Sequence, residues 1–504
     1  MRKKIFLAVL TLVTLGINST LFSQTDDTMV LKKSDYQQLL ERIEKLERAA
    51  KLESTAKLES TAKSDSTSKL DSAEKSNSTA KLDRTEKQRP RQPRQPGQRD
   101  TSQPFLKKFR ENLILGGYGE AVGQGFLYSS NFNRYSYPEN YKDAKGYGRV
   151  DLPHVVFVLG YKFKNNWTMY SEIEFEHGGM GGAIEIENEE FGEYETEIEK
   201  GGEVNIEQFW IQKSFLNEAL NIRVGHIIVP IGLTNQFHLP TEFFSVLRQE
   251  EETTIFPSTW HQTGISLWGE RKKWRYEFQL LSGLSAEMFN DANFIKDGST
   301  STHEFTIANT LAGSFRIDNS SVKGLRLGLS GYFGNTAKNS LKSDNYSKVN
   351  GTLILGTLDF TYKDYGVWLY GNFDYGHLFD SKEISRINKN MSKNSPSPRT
   401  NVASDAMCYT INAGYDIFSS IKSLNKMKLY FFEHFGYVNS MYKTASGILQ
   451  DNKYRKYIVS SGINFYPIKE VAIKIEYSSR FFPKTNYNDE NTISIGIVYS
   501  SFFN

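Results

Sequence analysis

The stretch Asn491 to Asn504 reads NTISIGIVYSSFFN. Ile493, Ile495, Ile497 and Tyr499 alternate with Ser494, Gly496, Val498 and Ser500, the period of two that a strand shows when its faces meet different surroundings. One face is apolar, the other small or polar. The alternation runs on to Phe503, which places an aromatic at the end of the apolar face, where a membrane barrel carries its girdle.

Working outward from that strand, alternating segments of about ten residues recur from Asn112 onward. They begin near Asn112, Val150, Asn166, Val204, Leu220, Gln262, Trp274, Glu304, Gly324, Thr352, Tyr365, Asp405, Met427, Tyr454, Val471 and Asn491, about sixteen in all. Short connections at Lys164–Asn165, Arg271–Lys273, Lys363–Asp364 and Pro467–Glu470 alternate with long ones, such as Gly123–Gly148, His177–Glu203, Pro230–His261, Ser282–His303 and Ser381–Ser404. Short turns at one end and long loops at the other mark a bacterial membrane barrel. A soluble β-sandwich would require neither this nor apolar faces as regular as Trp274, Tyr276, Phe278, Leu280. The expected fold is therefore all-β: a 16-stranded antiparallel transmembrane β-barrel preceded by a short helical segment and a low-complexity stalk.

The composition fits that reading. Aromatics make up 13% of the 504 residues, while a mean hydropathy of -0.50 is too polar for a bundle of membrane helices and acceptable for a barrel, in which every second strand residue meets lipid. The net charge of +3 includes Arg2, Lys3 and Lys4, so the processed chain is near neutral and gives no reason to expect nucleic acid. A single cysteine, Cys408, excludes internal disulfides and multi-cysteine metal sites; within MCYTINAGY it reads as a small strand hydrophobe. No motif calls for a cofactor.

Residues 1–23 read as a secretory signal, with basic Arg2 to Lys4, the apolar IFLAVLTLVTLGI and a cut after Ser23. In 24–50, Ser34 and Gln37 have capping-box spacing, and Tyr36, Leu39, Ile43, Leu46 and Ala50 follow in three- and four-residue steps. This is either a short coiled coil joining subunits or a lone amphipathic helix. Residues 51–104 form a linker: six-residue repeats such as KLESTA, whose leucines cannot hold one helical face, then the basic, proline-rich QRPRQPRQPGQR. A solvated spacer is the plain reading; an O-glycosylated stalk, or one that touches peptidoglycan, is the functional one. The barrel is expected over 105–504.

On the faces opposite the apolar ones stand Arg223, Arg275, Arg326, Lys474 and Arg480 with Glu172, Glu174, Glu277, Asp374 and Glu476, candidates either for the lining of a pore or for wall charges paired across strands. Pro230 to His261 is the candidate constriction. Its prolines stiffen it, and Phe237, Phe243, Phe244 and Phe256 are anchors a free loop would not need. Phe237, His238, Arg248, Glu250, Glu251 and Glu252 are its candidate functional residues. The second long loop adds AIEIENEEFGEYETEIE, whose alternation suggests an acidic hairpin, either a patch bridging divalent cations or lipopolysaccharide or a solvated surface; its metal binding is open.

A chain ending as this one does resembles a bacterial outer-membrane protein, in which the final strand is the assembly signal, although here Asn504 follows the aromatic. Within the barrel, GGYGE at Gly116–Glu120, VVFVLGYKF with SEIEFEHGG over Val155–Gly179, and LNIRVGHIIVPIGLTNQFH through EETTIFPSTWHQTGISLWG over Leu220–Gly269 resemble the phosphate-selective porin O and P family. The resemblance implies a homotrimeric channel in outer-membrane lipid and lipopolysaccharide, whose third long loop folds inward. It implies passive diffusion of small hydrophilic solutes or ions, anions such as phosphate among them. The family's arginine ladder and lysine cluster do not align here, and Glu250 to Glu252 closely follow Arg248. Two other classes of function stand beside this one. A structural barrel could tether or space the envelope through its stalk, and a barrel hydrolase would need a nucleophile pattern that the eight scattered histidines do not supply.

Overall fold

The computed structural model describes residues 111–503, apart from 180–182, 188–194, 200–203, 301–304, 341, 394, 425 and 483–486. The signal peptide, short helix and stalk expected before residue 105 lie outside the described residues.

Sixteen antiparallel strands follow one another around a closed sheet. They are β1 (Leu113–Phe126), β2 (Tyr147–Asp151 and His154–Lys162), β3 (Trp167–Glu176), β4 (Val204–Phe215), β5 (Leu220–Ile228), β6 (His261–Arg271), β7 (Trp274–Leu281) and β8 (Ala312–Asn319). The second half comprises β9 (Leu325–Asn335), β10 (Thr352–Asp364), β11 (Val367–Leu378), β12 (Asp405–Asp416), β13 (Lys428–Lys443), β14 (Arg455–Ile468), β15 (Val471–Phe481) and β16 (Glu490–Phe503). The two arms of β2 both pair with β1 and are separated at Leu152 and Pro153, because proline has no N–H to give the ladder. Closure comes from β1 against β16, in register from Leu115 opposite Phe503 to Phe126 opposite Thr492.

Short turns gather at one end. Asn165 and Asn166 both take positive φ (59° and 58°), as do Tyr365 and Gly366 (54° and 77°), the geometry that lets a two-residue turn match the twist of its strands. At the other end the acidic segment forms the expected hairpin, Ala183–Glu187 paired with Glu195–Glu199. Fifteen of the strands begin within three residues of the expected positions. The exception is β8, which starts at Ala312 rather than near Glu304. Its neighbour β7 ends at Leu281, directly opposite Ala312, so residues before Ala312 have no ladder to join.

Outward positions are apolar and solvent-facing in the isolated chain: Phe157 and Leu159 on β2, Phe209 and Ile211 on β4, Leu327 and Leu329 on β9, Ile493 and Ile497 on β16. Trp167, Phe215, Trp274, Tyr365 and Tyr415 ring the short-turn end. This apolar band with an aromatic girdle is the surface of a barrel that spans a membrane.

The interior is not an empty cylinder. An inner loop, residues 229–260, leaves β5, runs through the barrel and returns to β6, with one helix, α1 (Glu250–Ile255). Toward the long-loop end, residues 282–300 and the described residues of 336–351 and 379–404, the last carrying α2 (Ser381–Lys389), also turn inward. Phe289, Phe294, Tyr346 and Ile384 of these loops share one buried core with Ile255, Phe256 and Trp260 of the inner loop and with inward-facing Leu353, Leu355, Cys408 and Val438. Asn388 ties them together, donating to the carbonyls of Ala286 (3.0 Å) and Phe289 (3.2 Å) while accepting from the Tyr346 hydroxyl (2.6 Å). Residues of these long connections thus pack into the barrel beside the inner loop.

Candidate functional site

The inner loop is held along one wall, residue by residue. Lys474 of β15 donates to the carbonyls of Phe243 and Ser245, both at 2.8 Å. Asn464 of β14 donates to the Phe244 carbonyl (2.8 Å), and the amides of Phe244 and Val246 donate to the Tyr370 hydroxyl (2.7 Å) and the Glu476 carboxylate (2.8 Å). Four consecutive residues therefore have their backbone groups met by side chains of the wall. Phe244 is fully buried in a box of Trp368, Tyr370, Tyr430 and Phe432, with ring centroids 4.5–5.5 Å away. Gly414 of β12 makes room for it, since a methyl there would overlap the Phe244 ring.

The three consecutive glutamates are anchors in the same way. Glu250 forms an ion pair with Arg480 and lies 3.7 Å from Lys456; these cations outweigh the effect of burial and hold its carboxyl down to about 2. Glu251 accepts from His434 Nε2 (2.8 Å) over Gly436, where any Cβ would strike the carboxylate. Glu252 accepts from the amides of Leu233 (2.8 Å) and Thr234 (2.9 Å), from the Thr234 hydroxyl and from Asn372 (3.1 Å). Burial nevertheless pushes it up to about 7, and the nearby Asp359 charge adds to that. At the start of the loop, the fully buried Arg316 donates to the Gly232 carbonyl (2.8 Å) and pairs with Asp318 (2.8 Å) and Asp359 (2.9 Å). Arg326 joins the same two aspartates, with the Phe237 ring 4.3 Å from its guanidinium.

The remaining inward charges named from the sequence are mostly paired within the wall. Arg275 pairs with Glu277 and stands 3.6 Å from Asp318. Arg223 donates to Gln212 (3.2 Å) and lies over the rings of Trp210 (4.4 Å) and Trp268 (5.2 Å). Asp374 accepts from Asn372 and from the Cys408 thiol (3.0 Å), while its other oxygen has no partner.

Across from the anchored wall, β1 to β4 present a different surface. Glu172 and Glu174 on β3 meet two carboxylates that the periodicity did not single out, Glu120 on β1 and Glu207 on β4. The register steps from Glu172 opposite Gln208 to Ile173 opposite Ile206, so Glu207 is an extra residue in its strand. Ile206 and Phe209 face outward, at 56% and 52% exposure, and this bulge turns both residues between them inward. Two adjacent polar residues in the run IEQF are the sequence signal that could have shown it.

Here the partners are few. Tyr118 donates to Glu207 Oε2 (3.0 Å), and Gln208 donates to Glu172. His154 meets Glu120 at 2.6 Å and Glu174 at 3.9 Å. From the inner loop, His238 comes within 3.9 Å of Glu172. Burial lowers the His238 pKa, but the hydrogen bond and charge of Glu172 raise it above its ordinary value. Arg248 donates to Ser258 (3.3 Å) and Thr259; against the lowering effect of burial, the fields of Tyr118, Glu207, Glu174 and Glu120 raise its pKa. Next to them a cavity of about 580 Å³ runs from Arg248 and His238 past Phe237 and Trp368 to the short turns at Lys273 and Lys323.

No family model matches the chain, so the resemblance to the phosphate-selective O and P family finds no match of that kind. A protein of Aquifex aeolicus (strain VF5), described only as uncharacterized, is 23% identical over 387 residues, which cover 75% of this chain and 78% of that one. Among solved structures, OprB of Pseudomonas putida is similar with a TM-score of 0.46 at 11% identity, over 80% of this chain and 96% of that chain. OmpF of Salmonella typhi, in complex with daunomycin, gives 0.45 at 10% identity over 77% and 98%. An anion-selective porin from Comamonas acidovorans gives 0.44 at 9% identity over 77% and 99%.

Proposed function

We propose that the protein is a porin of a bacterial outer membrane, a water-filled channel for passive diffusion of small hydrophilic solutes, with the inner loop as its constriction. The observation that carries this is the one-sided anchoring of residues 229–260: backbone and side chains are fixed to β8–β15, and the opposite wall is left with charged groups facing them. A loop placed only to close the barrel would have no use for the cavity of about 580 Å³ that remains beside Phe237, His238 and Arg248. Phe237, His238 and Arg248 then line the passage, while Glu250, Glu251 and Glu252 fix its shape. A homotrimer in lipopolysaccharide-rich lipid, with the stalk in the periplasm, accords with this reading.

Preference for phosphate asks for more than these walls supply. A multi-oxygen anion needs convergent, uncommitted cationic donors. Arg275, Arg316, Arg326 and Arg480 are paired with carboxylates, and Lys474 with backbone carbonyls. Planar-bilayer recording of the purified protein tests both levels. Discrete conductance steps that widen when the loop anchors are cut support the channel; absence of steps at any voltage overturns it. Block of potassium chloride current by added phosphate would restore the anion reading.

A further inference from the structure

We propose that the carboxylates of Glu120, Glu172, Glu174 and Glu207, facing Arg248, form a cation subsite that takes small inorganic cations with their water, divalent ones most strongly. Three observations converge. First, the strand carries an extra residue whose effect is to turn Glu207 from the lipid side to the interior, where it is fully buried. Second, Glu120 Oε2, Glu174 Oε1 and Glu207 Oε1 have no hydrogen-bond partner, although these residues are only 6%, 4% and 0% exposed. A buried carboxylate oxygen without a partner is costly and calls for one. Third, the positive charge facing them is too small. Arg248, His238 and His154, the last beside Glu120 and Glu174, carry at most three positive charges against four carboxylates, and Arg248 gives donors to Ser258 and Thr259.

The ligand's form follows from the spacing. Among the described residues no three His, Cys, Asp or Glu side chains converge closely enough to coordinate a bare metal ion. An ion here keeps water, and that water donates to the unpartnered oxygens, the mode suited to magnesium, which dehydrates reluctantly. Such a site attracts a cation and releases it again, as conduction requires. As a place on the permeation path the subsite rests on the porin reading; as a binding site it does not.

The test uses the full-length protein in detergent, with Mn²⁺ as the probe followed by paramagnetic resonance and Mg²⁺ as competitor, beside reversal potentials in a potassium chloride gradient. Each lost carboxylate in Glu207→Gln and Glu174→Gln should weaken Mn²⁺ binding about tenfold, the scale of one charge at this range. Arg248→Gln should strengthen it, a gain that damaged folding cannot produce. Both changes should move the reversal potential, away from potassium in the first case and toward it in the second. Mn²⁺ binding indifferent to all three substitutions overturns the subsite, even if the channel conducts. Substitution-sensitive binding without any conductance upholds the subsite and removes the porin reading instead.

Discussion

The inner wall from β8 to β15 and the inner wall from β1 to β4 are built on the same alternation, but their charges are handled differently. On the first, Arg316, Arg326 and Arg480 meet carboxylates, and Lys474 meets two backbone carbonyls of the loop laid against it. On the second, carboxylates outnumber the cations that face them, and three of their oxygens have no partner. The loop makes this difference. Where it docks, its carboxylates and carbonyls neutralise the wall; where it only approaches, it brings His238 and Arg248 and leaves negative charge over. A barrel can therefore set the field in its passage by choosing the side on which a loop is fixed, without changing its strands.

Breaking the anchored side should give the largest effects. Arg316→Met leaves Asp318 and Asp359 buried with Arg326 as their main remaining cation, and loss of one partner from a buried ion cluster costs about 3–5 kcal/mol. The expected outcome is a clear fall in the temperature at which the folded barrel converts to its unfolded gel mobility. Phe244→Ala empties the aromatic box at a cost of about 3–5 kcal/mol, less wherever neighbouring rings collapse into the space. Because that energy holds the loop rather than the sheet, larger single-channel conductance and new protease cleavage within 240–256 should appear with the barrel still folded.

A smaller effect comes from pH. The Glu252 carboxyl stands at about 7 in the folded protein, above the roughly 4.3 of an unfolded chain, so its contribution is complete at low pH and is lost as pH rises through 7. Loop protection from protease should weaken as pH rises from about 4 to about 7 and level off above that, and Glu252→Gln should flatten that dependence. The smallest effect belongs to a pair outside both regions. Lys323, 82% exposed, lies 2.9 Å from Asp364 at the short-turn end, and a double-mutant cycle there should give under about 1 kcal/mol.

How much could be read from the chain follows from the range of each interaction. The barrel was legible because lipid on one side and polar groups on the other act on every second residue, and strand starts depend on that local signal. The β8 start misled because the alternation before Ala312 is real, while its ladder partner is not there. Glu207 was missed because a bulge shifts the period by one, which a strict count of alternate residues passes over. The loop's aromatics were legible as anchors, but their receptor was not: Phe244 meets Tyr370 from 126 residues away, and no local pattern carries that. The core shared by the outer loops was hidden for the same reason. Phe289, Ile384 and Val438 become neighbours only after the sheet has closed.

Gly414 and Gly436 preserve the outline of the loop in the wall. Each is a hollow matched to one projection, the ring of Phe244 and the carboxylate of Glu251. Wall and loop are thus fitted as a casting is to its mould, and neither can be exchanged alone. Grafting residues 229–260 into another barrel would transfer the projections without the hollows, and filling either hollow here would expel the loop while leaving the strands intact. The unit that evolves, or that an engineer must move, is a stretch of loop together with glycines far from it in the chain.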